Sequence, residues 1–278
     1  MKLKYTAAWV GFTAAATVAV SGCGSSGAKT AVSAVNNADK IMAMLSHATD
    51  RTDQLGSAKV RVSTDPGTGS APITLNGTFS WGDGLAMDVL MDTKAANMQA
   101  LQHRATIRTL FVKGAYYYNV DPRASGPLKG KEWMKVDASA LFGDKAAQAF
   151  SGSSGGNPAA TLKYLKYANH VTELGKETVD GQSTTHYRAV VDKAQLGKYK
   201  DAYGSAGMNS LTGGADSVTM DVWIGAKDLP VRLKEGFGKA TVTMDFEKFG
   251  ATAPVKAPPA AQTADLTERI KNARSRQG

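Results

Sequence analysis

Along the chain the hydrophobic period changes from helical to alternating near residue 56. Ala38, Ile41, Met42 and Leu45 recur at i, i+3, i+4 and i+7, which predicts an amphipathic helix that Asn36 or Asn37 can cap. From Ser57 onward, apolar and polar residues alternate. "SAKVRVST", "PITLNGTFSW", "LAMDVLMD", "ATIRTLFVK", "AYYYNV" and "EWMKV" read as strands, and Gly82–Gly84 marks a hairpin turn between two of them. Short helices are expected after Asp137 or Ser139, over 159–168, and after Asp192, where Gln195 completes a capping box. Gly/Ser-rich loops at 151–158 and 204–214 punctuate this stretch. Strands return in "HVTELGKETV" and "TTHYRAVV" around the turn "DGQS", then in "SVTMDVWI", "PVRLKEGF" and "KATVTMDFEKF".

The last strands define the geometry best. Val218, Met220, Val222 and Ile224 share one face, with Thr219, Asp221 and Trp223 on the other. Val242, Met244 and Phe246 likewise oppose Thr243, Asp245 and Glu247. Such alternation predicts an antiparallel sheet with one covered face. About ten strands with a few helices give an α+β fold, expected as a strongly curved antiparallel sheet, an open half-barrel, with helices covering its concave face. A plain sandwich is the competing architecture. Helix and strand do not alternate regularly, which excludes a doubly wound fold.

The two ends follow different rules. Lys2 and Lys4 precede an uncharged run from Tyr5 to Val20, the pattern of a secretory leader. Cys23 is the sole cysteine, so it forms no internal disulfide and no cysteine-rich zinc site. "GSSG" after it cannot bury a catalytic thiol. "VSGC", Val20 to Cys23, resembles the lipobox of bacterial lipoproteins. That resemblance implies cleavage before Cys23, a diacylglyceryl thioether on its sulfur, and acylation, as by palmitate, of the new amino terminus. The expected organisation is a signal peptide at 1–22, a flexible tether at 23–33, a folded body at 34–250, and a Pro/Ala-rich then charged tail at 251–278. In the tail, Pro254, Pro258 and Pro259 oppose regular structure, and 265–274 is expected as an exposed or mobile helix. The domain is expected on the extracytoplasmic face of the cell membrane, lipid-anchored through Cys23.

Charge adds little. Loss of Lys2 and Lys4 lowers the formal net charge from +9 to +7, enough to favour contact with anionic headgroups or wall polymers. No basic–aromatic block marks a nucleic-acid surface. His47, His103, His170 and His186 are scattered without metal-ligand spacing, and no serine lies in a nucleophile elbow. No catalytic residue, metal or cofactor is expected, and the protein reads as non-enzymatic.

The order of lipobox, amphipathic helix and hairpins, with "VDGQSTTHY" at 179–187 and "DVWIGAKDLPVRL" at 221–233, resembles the actinobacterial lipoproteins of the LppX, LprA, LprF and LprG group. These belong to the broader superfamily of the carriers LolA and LolB. The resemblance implies an open half-barrel plugged by helices, in some members with acyl chains of lipids or lipoglycans held between the two layers. It carries over no catalytic residue and no ligand contact residue by residue.

Candidate cavity-lining residues follow from the alternation: Leu85, Met87, Val89, Ile107, Met220, Val222, Ile224, Met244 and Phe246. Met91 and Leu110 join them in the register that turns their faces inward. Tyr117 points away from Tyr116 and Tyr118 and is a candidate for a cavity rim. Trp81, Trp133 and Trp223 are expected at the sheet surface, Trp223 in a small second core or a contact patch. Two functions stay open. One is a membrane-anchored lipoprotein that binds or carries lipid or another acylated ligand, with an envelope protein as a further partner. The other is a non-enzymatic surface module that binds protein or cell-wall material.

Overall fold

The computed structural model describes residues 26–144, 147, 161–162, 165, 168, 171–192, 217–250 and 253–276. Residues 1–22, Cys23, the loops 151–158 and 204–214, and the helix expected after Asp192 lie outside them. The chain divides into Met1–Asn37 and Ala38–Gly278. The fold described below is that of the second unit.

Helix α1 spans Ser26–Leu55, so it starts ahead of the expected caps and runs through most of the segment expected as a tether. Its buried stripe is Leu45, Ala48, Thr49 and Thr52. The two threonines fit this apolar stripe because each hydroxyl donates back along the helix, Thr49 to the Leu45 carbonyl and Thr52 to the Ala48 carbonyl. Gly56, at φ +66°, ends the helix in the left-handed conformation that a side chain would resist. The Trp81 indole donates to the Thr52 carbonyl at 3.0 Å, satisfying an acceptor of the last turn.

Twelve strands form one sheet: β1 Ser57–Asp65, β2 Ile73–Ser80, β3 Ala86–Asp92, β4 Thr106–Val112, β5 Ala115–Asn119, β6 Trp133–Asp137, β7 Val171–Val179, β8 Gln182–Asp192, β9 Ser217–Ile224, β10 Pro230–Phe237, β11 Ala240–Phe249 and β12 Thr263–Asp265. Helices α2 Ala138–Phe142 and α3 Thr267–Ser275 and two 3₁₀ turns, Ala226–Asp228 and Ala260–Gln262, complete the described elements. Neighbours run β12-β6-β5-β4-β3-β2-β1-β11-β10-β9-β8-β7. Two sequential meanders, β1–β6 and β7–β11, are joined where β1 pairs antiparallel with β11. Tight turns carry the meanders, as at Asp180–Gly181, where φ is +49° and +76°.

This architecture corrects the expected fold class. The sheet is mixed, because β12 lies parallel to β6. It is neither closed nor strongly curled, and β7 and β12 stand at opposite ends of the strand order. The expected strongly curved, all-antiparallel half-barrel is therefore replaced by one long open sheet. Alternation along a strand records which face is covered. It does not record how far successive strands turn, nor where a distant segment returns to pair.

The returning segment is the C-terminal one. Residues 253–262 run across the outer face, where Val255 packs with Leu110, Val112 and Trp133. Prolines forbid regular pairing there but suit an extended strap. β12 and α3 then dock at the far edge. Leu266 and Ile270 pack beside Met134, Val136 and Tyr118, and Arg274 donates to the carbonyls of Ala140 and Leu141 at 2.9 and 2.5 Å. The Lys135 ammonium binds Asp265 at 2.8 Å. Burial alone would raise the Asp265 pKa, but Lys135 and the Thr267 hydrogen bonds bring it down to about 2. The segment expected as exposed or mobile is thus an edge of the fold. The helix within it was foreseen; its docking was not.

Trp81 and Trp133 depart from their expected surface positions, and Trp223 takes the first of its two expected places. Trp81, Trp133 and Trp223 are all buried. Trp223 closes a small outer cluster with Val179 and Val231, so it belongs to a second core.

Candidate functional site

The inner face of the sheet is the natural place to look, because the covered layer is there. Register places Val62 opposite Leu75 and Met244, Met244 opposite Leu233, and Leu233 opposite Val222. One apolar stripe therefore crosses five strands. Leu45 and Ala48 of α1 lie on it, joined by Leu162 and Leu165.

Eight of the ten expected lining residues belong to this layer: Val89, Met220, Val222, Ile224 and Phe246 are buried, while Leu85, Met87 and Met244 are half-buried beside them. Ile107 belongs to a neighbouring inner cluster with Met91, under α2 and α3. Tyr117 stands on the outer face with Leu110 and Trp133, as the opposition to Tyr116 and Tyr118 requires. Burial pushes the Tyr116 phenol up to about 12 and raises Tyr118 as well.

The open space lies toward the helix side of the layer. A largely apolar pocket of about 410 Å³ is bounded by Met42, Leu45, Ser46, Thr49 and Asp50 of α1 and by Leu162 and Leu165. Its volume falls within the range of small-molecule sites, roughly 300–1,000 Å³. Leu85 borders a separate pocket of about 470 Å³ at the end of β2 and β3, rimmed by Gly56, Gly82 and Gly84.

Sequence reading missed one residue of this face. Glu235 pairs with Met220 and Val242, in phase with Leu233 and Phe237, so its carboxyl enters the apolar layer. Burial there raises its pKa to about 7, partly opposed by a hydrogen bond from Thr161. The signal was present in "PVRLKEGF", where alternation puts Glu235 on the Leu233 side. Because the folded pKa lies above that of an unfolded glutamate, folding favours the protonated form. Stability should fall as pH rises from about 4.5 to about 7, then level off. Glu235→Gln is expected to flatten that dependence and to stabilise the protein above pH 7 by on the order of 1–2 kcal/mol. Urea-unfolding midpoints at pH 5 and pH 8 check both parts.

On the outer face, the two segments that carry the family resemblance meet. The His186 imidazole lies between Glu177 Oε1 at 2.8 Å and Asp221 Oδ1 at 2.7 Å, stacked on the Trp223 ring at 4.1 Å. Trp223 Nε1 donates to Glu177 Oε2 at 2.7 Å, and Arg188 Nε donates to Asp221 at 2.7 Å. The Trp223 hydrogen bond, then that of His186, lowers the Glu177 pKa. Arg232 reaches Asp245 on β11 and, at 3.4 Å, Asp180 of the β7–β8 turn. These contacts tie strands to one another and to the β7–β8 turn, which makes this a structural network. Among the described residues, no group of three or more His, Cys, Asp or Glu side chains could hold a metal ion. Among them also, no helix is long and apolar enough to cross a membrane.

Comparison with known proteins agrees with the fold. No protein-family profile matches the chain. An uncharacterised 31.2 kDa protein encoded between rplA and rplJ in Streptomyces griseus is 26% identical over 253 residues, covering 83% of this chain and 80% of the relative. A Streptomyces coelicolor protein named as a candidate lipoprotein, SCO4650, is 26% identical over 230 residues, covering 79% and 73%. Among solved structures, LprF from Mycobacterium bovis is similar with a TM-score of 0.53 at 13% identity, covering 80% of this chain and 98% of its own. The Mycobacterium tuberculosis lipoprotein LppX is similar with a TM-score of 0.51 at 15% identity, covering 78% and 99%. The chain shares the fold of these two proteins and is a distant sequence relative of the Streptomyces pair.

Proposed function

We propose that this chain is a non-enzymatic lipoprotein, anchored through Cys23 to the extracytoplasmic face of the cell membrane, that holds an acyl chain of a lipid or acylated ligand between α1 and the sheet. The observation that carries the reading is the largely apolar pocket between Met42 and Leu45 of α1 and the pair Leu162 and Leu165, side chains that share one hydrophobic cluster with the inner face of the sheet. Met42, half-buried at its wall, suits an irregular guest because thioether chains adapt their shape. Likeness to LprF and LppX supports the same reading at the level of fold.

The energetics limit what such a site does. A buried acyl chain gains about 0.8 kcal/mol per CH₂, but it gives up the same gain on leaving a bilayer. The site therefore holds a lipid and does not extract one unaided; net transfer needs head-group contacts or a delivering partner. Two acyl chains on Cys23 would give a stable anchor where one gives only a marginal one.

A second reading, a surface module that binds protein or cell-wall material, draws support from the close packing of Val89, Met220, Val222 and Phe246, which leaves those residues no room for a guest. Native mass spectrometry of the full chain, purified from its producing cells and released from detergent in the instrument, separates the two. Reproducible non-covalent lipid masses are expected. Clean apo protein from repeated preparations would turn the assignment to the second reading. The same spectra should show a diacylglyceryl mass that Cys23→Ala abolishes.

A further inference from the structure

A second compartment adjoins the apolar pocket. On α1, His47, Asp50, Arg51 and Gln54 lie at i, i+3, i+4 and i+7, and together they face Lys227 and Asp228 of the β9–β10 turn across a polar pocket of about 450 Å³. All six side chains that line it are polar or ionisable. Asp50 borders this pocket and the apolar one alike, so the two spaces meet along one helix.

Two features set the polar pocket apart from an ordinary solvated surface. Arg51, Lys227, Asp50 and Asp228 bring both signs of charge together, yet among the described residues they form no ion pair with one another. Elsewhere in the fold nearby opposite charges do pair, as Arg108 does with Asp88 and Lys135 with Asp265. The turn is also built against backbone preference. Lys227 and Asp228 both have positive φ, +61° and +55°, where the β4–β5 and β7–β8 turns use a glycine at one of the two places. A lysine and an aspartate kept in that conformation point to side chains with a task of their own.

We propose that this pocket receives the head group of a zwitterionic amphiphile, a phosphate beside an ammonium, whose acyl chain occupies the adjoining apolar pocket. The inference rests on the lipid-binding reading above and names its ligand class. An anionic head alone would face Asp50 and Asp228, and a cationic one would face Arg51 and Lys227. A dipolar head meets both, with the phosphate on the guanidinium and ammonium and the amine on the carboxylates. The apolar pocket supplies the hold on the chain; the charges supply discrimination between lipids.

The test uses the full chain, kept in solution by amphipol, and competition against a fluorescent fatty acid. Three competitors share one acyl chain: lysophosphatidylethanolamine, lysophosphatidylglycerol and monoacylglycerol. The zwitterion is expected to bind about tenfold more tightly than either of the others, the scale of one or two charge-assisted hydrogen bonds. Arg51→Gln with Lys227→Gln should erase the advantage over monoacylglycerol and leave monoacylglycerol affinity unchanged. Asp50→Asn with Asp228→Asn should erase the advantage over lysophosphatidylglycerol. The substituted side chains are exposed, so the variants should fold. Equal binding of all three lipids by the unaltered chain, or a preference that both double variants retain, overturns the head-group site alone. Failure of every competitor, monoacylglycerol included, overturns the acyl-binding reading itself.

Discussion

Deletion of residues 263–278 is expected to destabilise the protein by on the order of 4–6 kcal/mol, the largest effect among the changes considered. The deletion removes β12, which pairs in parallel with β6, and α3 with its N-cap Leu266, where Leu266 and Ile270 cover Met134, Val136 and Tyr118. It also takes away the Asp265 partner of Lys135 and the Arg274 bonds to the end of α2. What remains is an edge strand with its apolar inner face open to water, a poor edge for a sheet. Urea unfolding measures the loss. Alkaline titration of tyrosine absorbance gives an independent readout: Tyr118, whose phenol burial holds above its ordinary value, should titrate nearer that value once the cover is gone. Unchanged stability after the deletion would show that the C-terminal segment is only an attachment.

The second large effect is expected from Asp221→Ala, at about 3 kcal/mol. Asp221 is 5% exposed, and its carboxylate accepts from His186 Nε2 and Arg188 Nε. Removing it strips one side of a buried imidazole that stacks on Trp223. Glu177, at the rim of the same network, is largely solvated, so Glu177→Gln should change stability much less. The unfolding midpoint tests the ranking, and Trp223 fluorescence should shift in Asp221→Ala, because the ring stacked on the indole loses its support. A rim substitution as harmful as the central one would contradict the network's geometry.

Sequence patterns anticipated the elements well, and for a local reason. Side chains on a strand alternate between faces, so Met220, Val222 and Ile224 could be assigned to one side before any contact was known. The Asp180–Gly181 turn and the separation of Tyr117 from its neighbours follow from equally short-range rules. Glu235 obeyed the same rule and was still overlooked, because a charge in an alternating strand reads as a solvent-facing position. Two tryptophans went the other way: Trp133 and Trp223 sit in phase with polar residues, and the outer face carries small apolar clusters of its own around them.

Order along the chain and the phase of each strand are properties of neighbouring residues, and neighbours are enough to read them. The pairing of β12 with β6, the open and mixed form of the sheet, and the meeting of α1 with Leu162, Leu165 and the Lys227–Asp228 turn join segments far apart in the chain. Such meetings depend on how apolar faces are shared out across the whole fold, which no window of sequence contains. Both pockets proposed to hold a ligand belong to this second class.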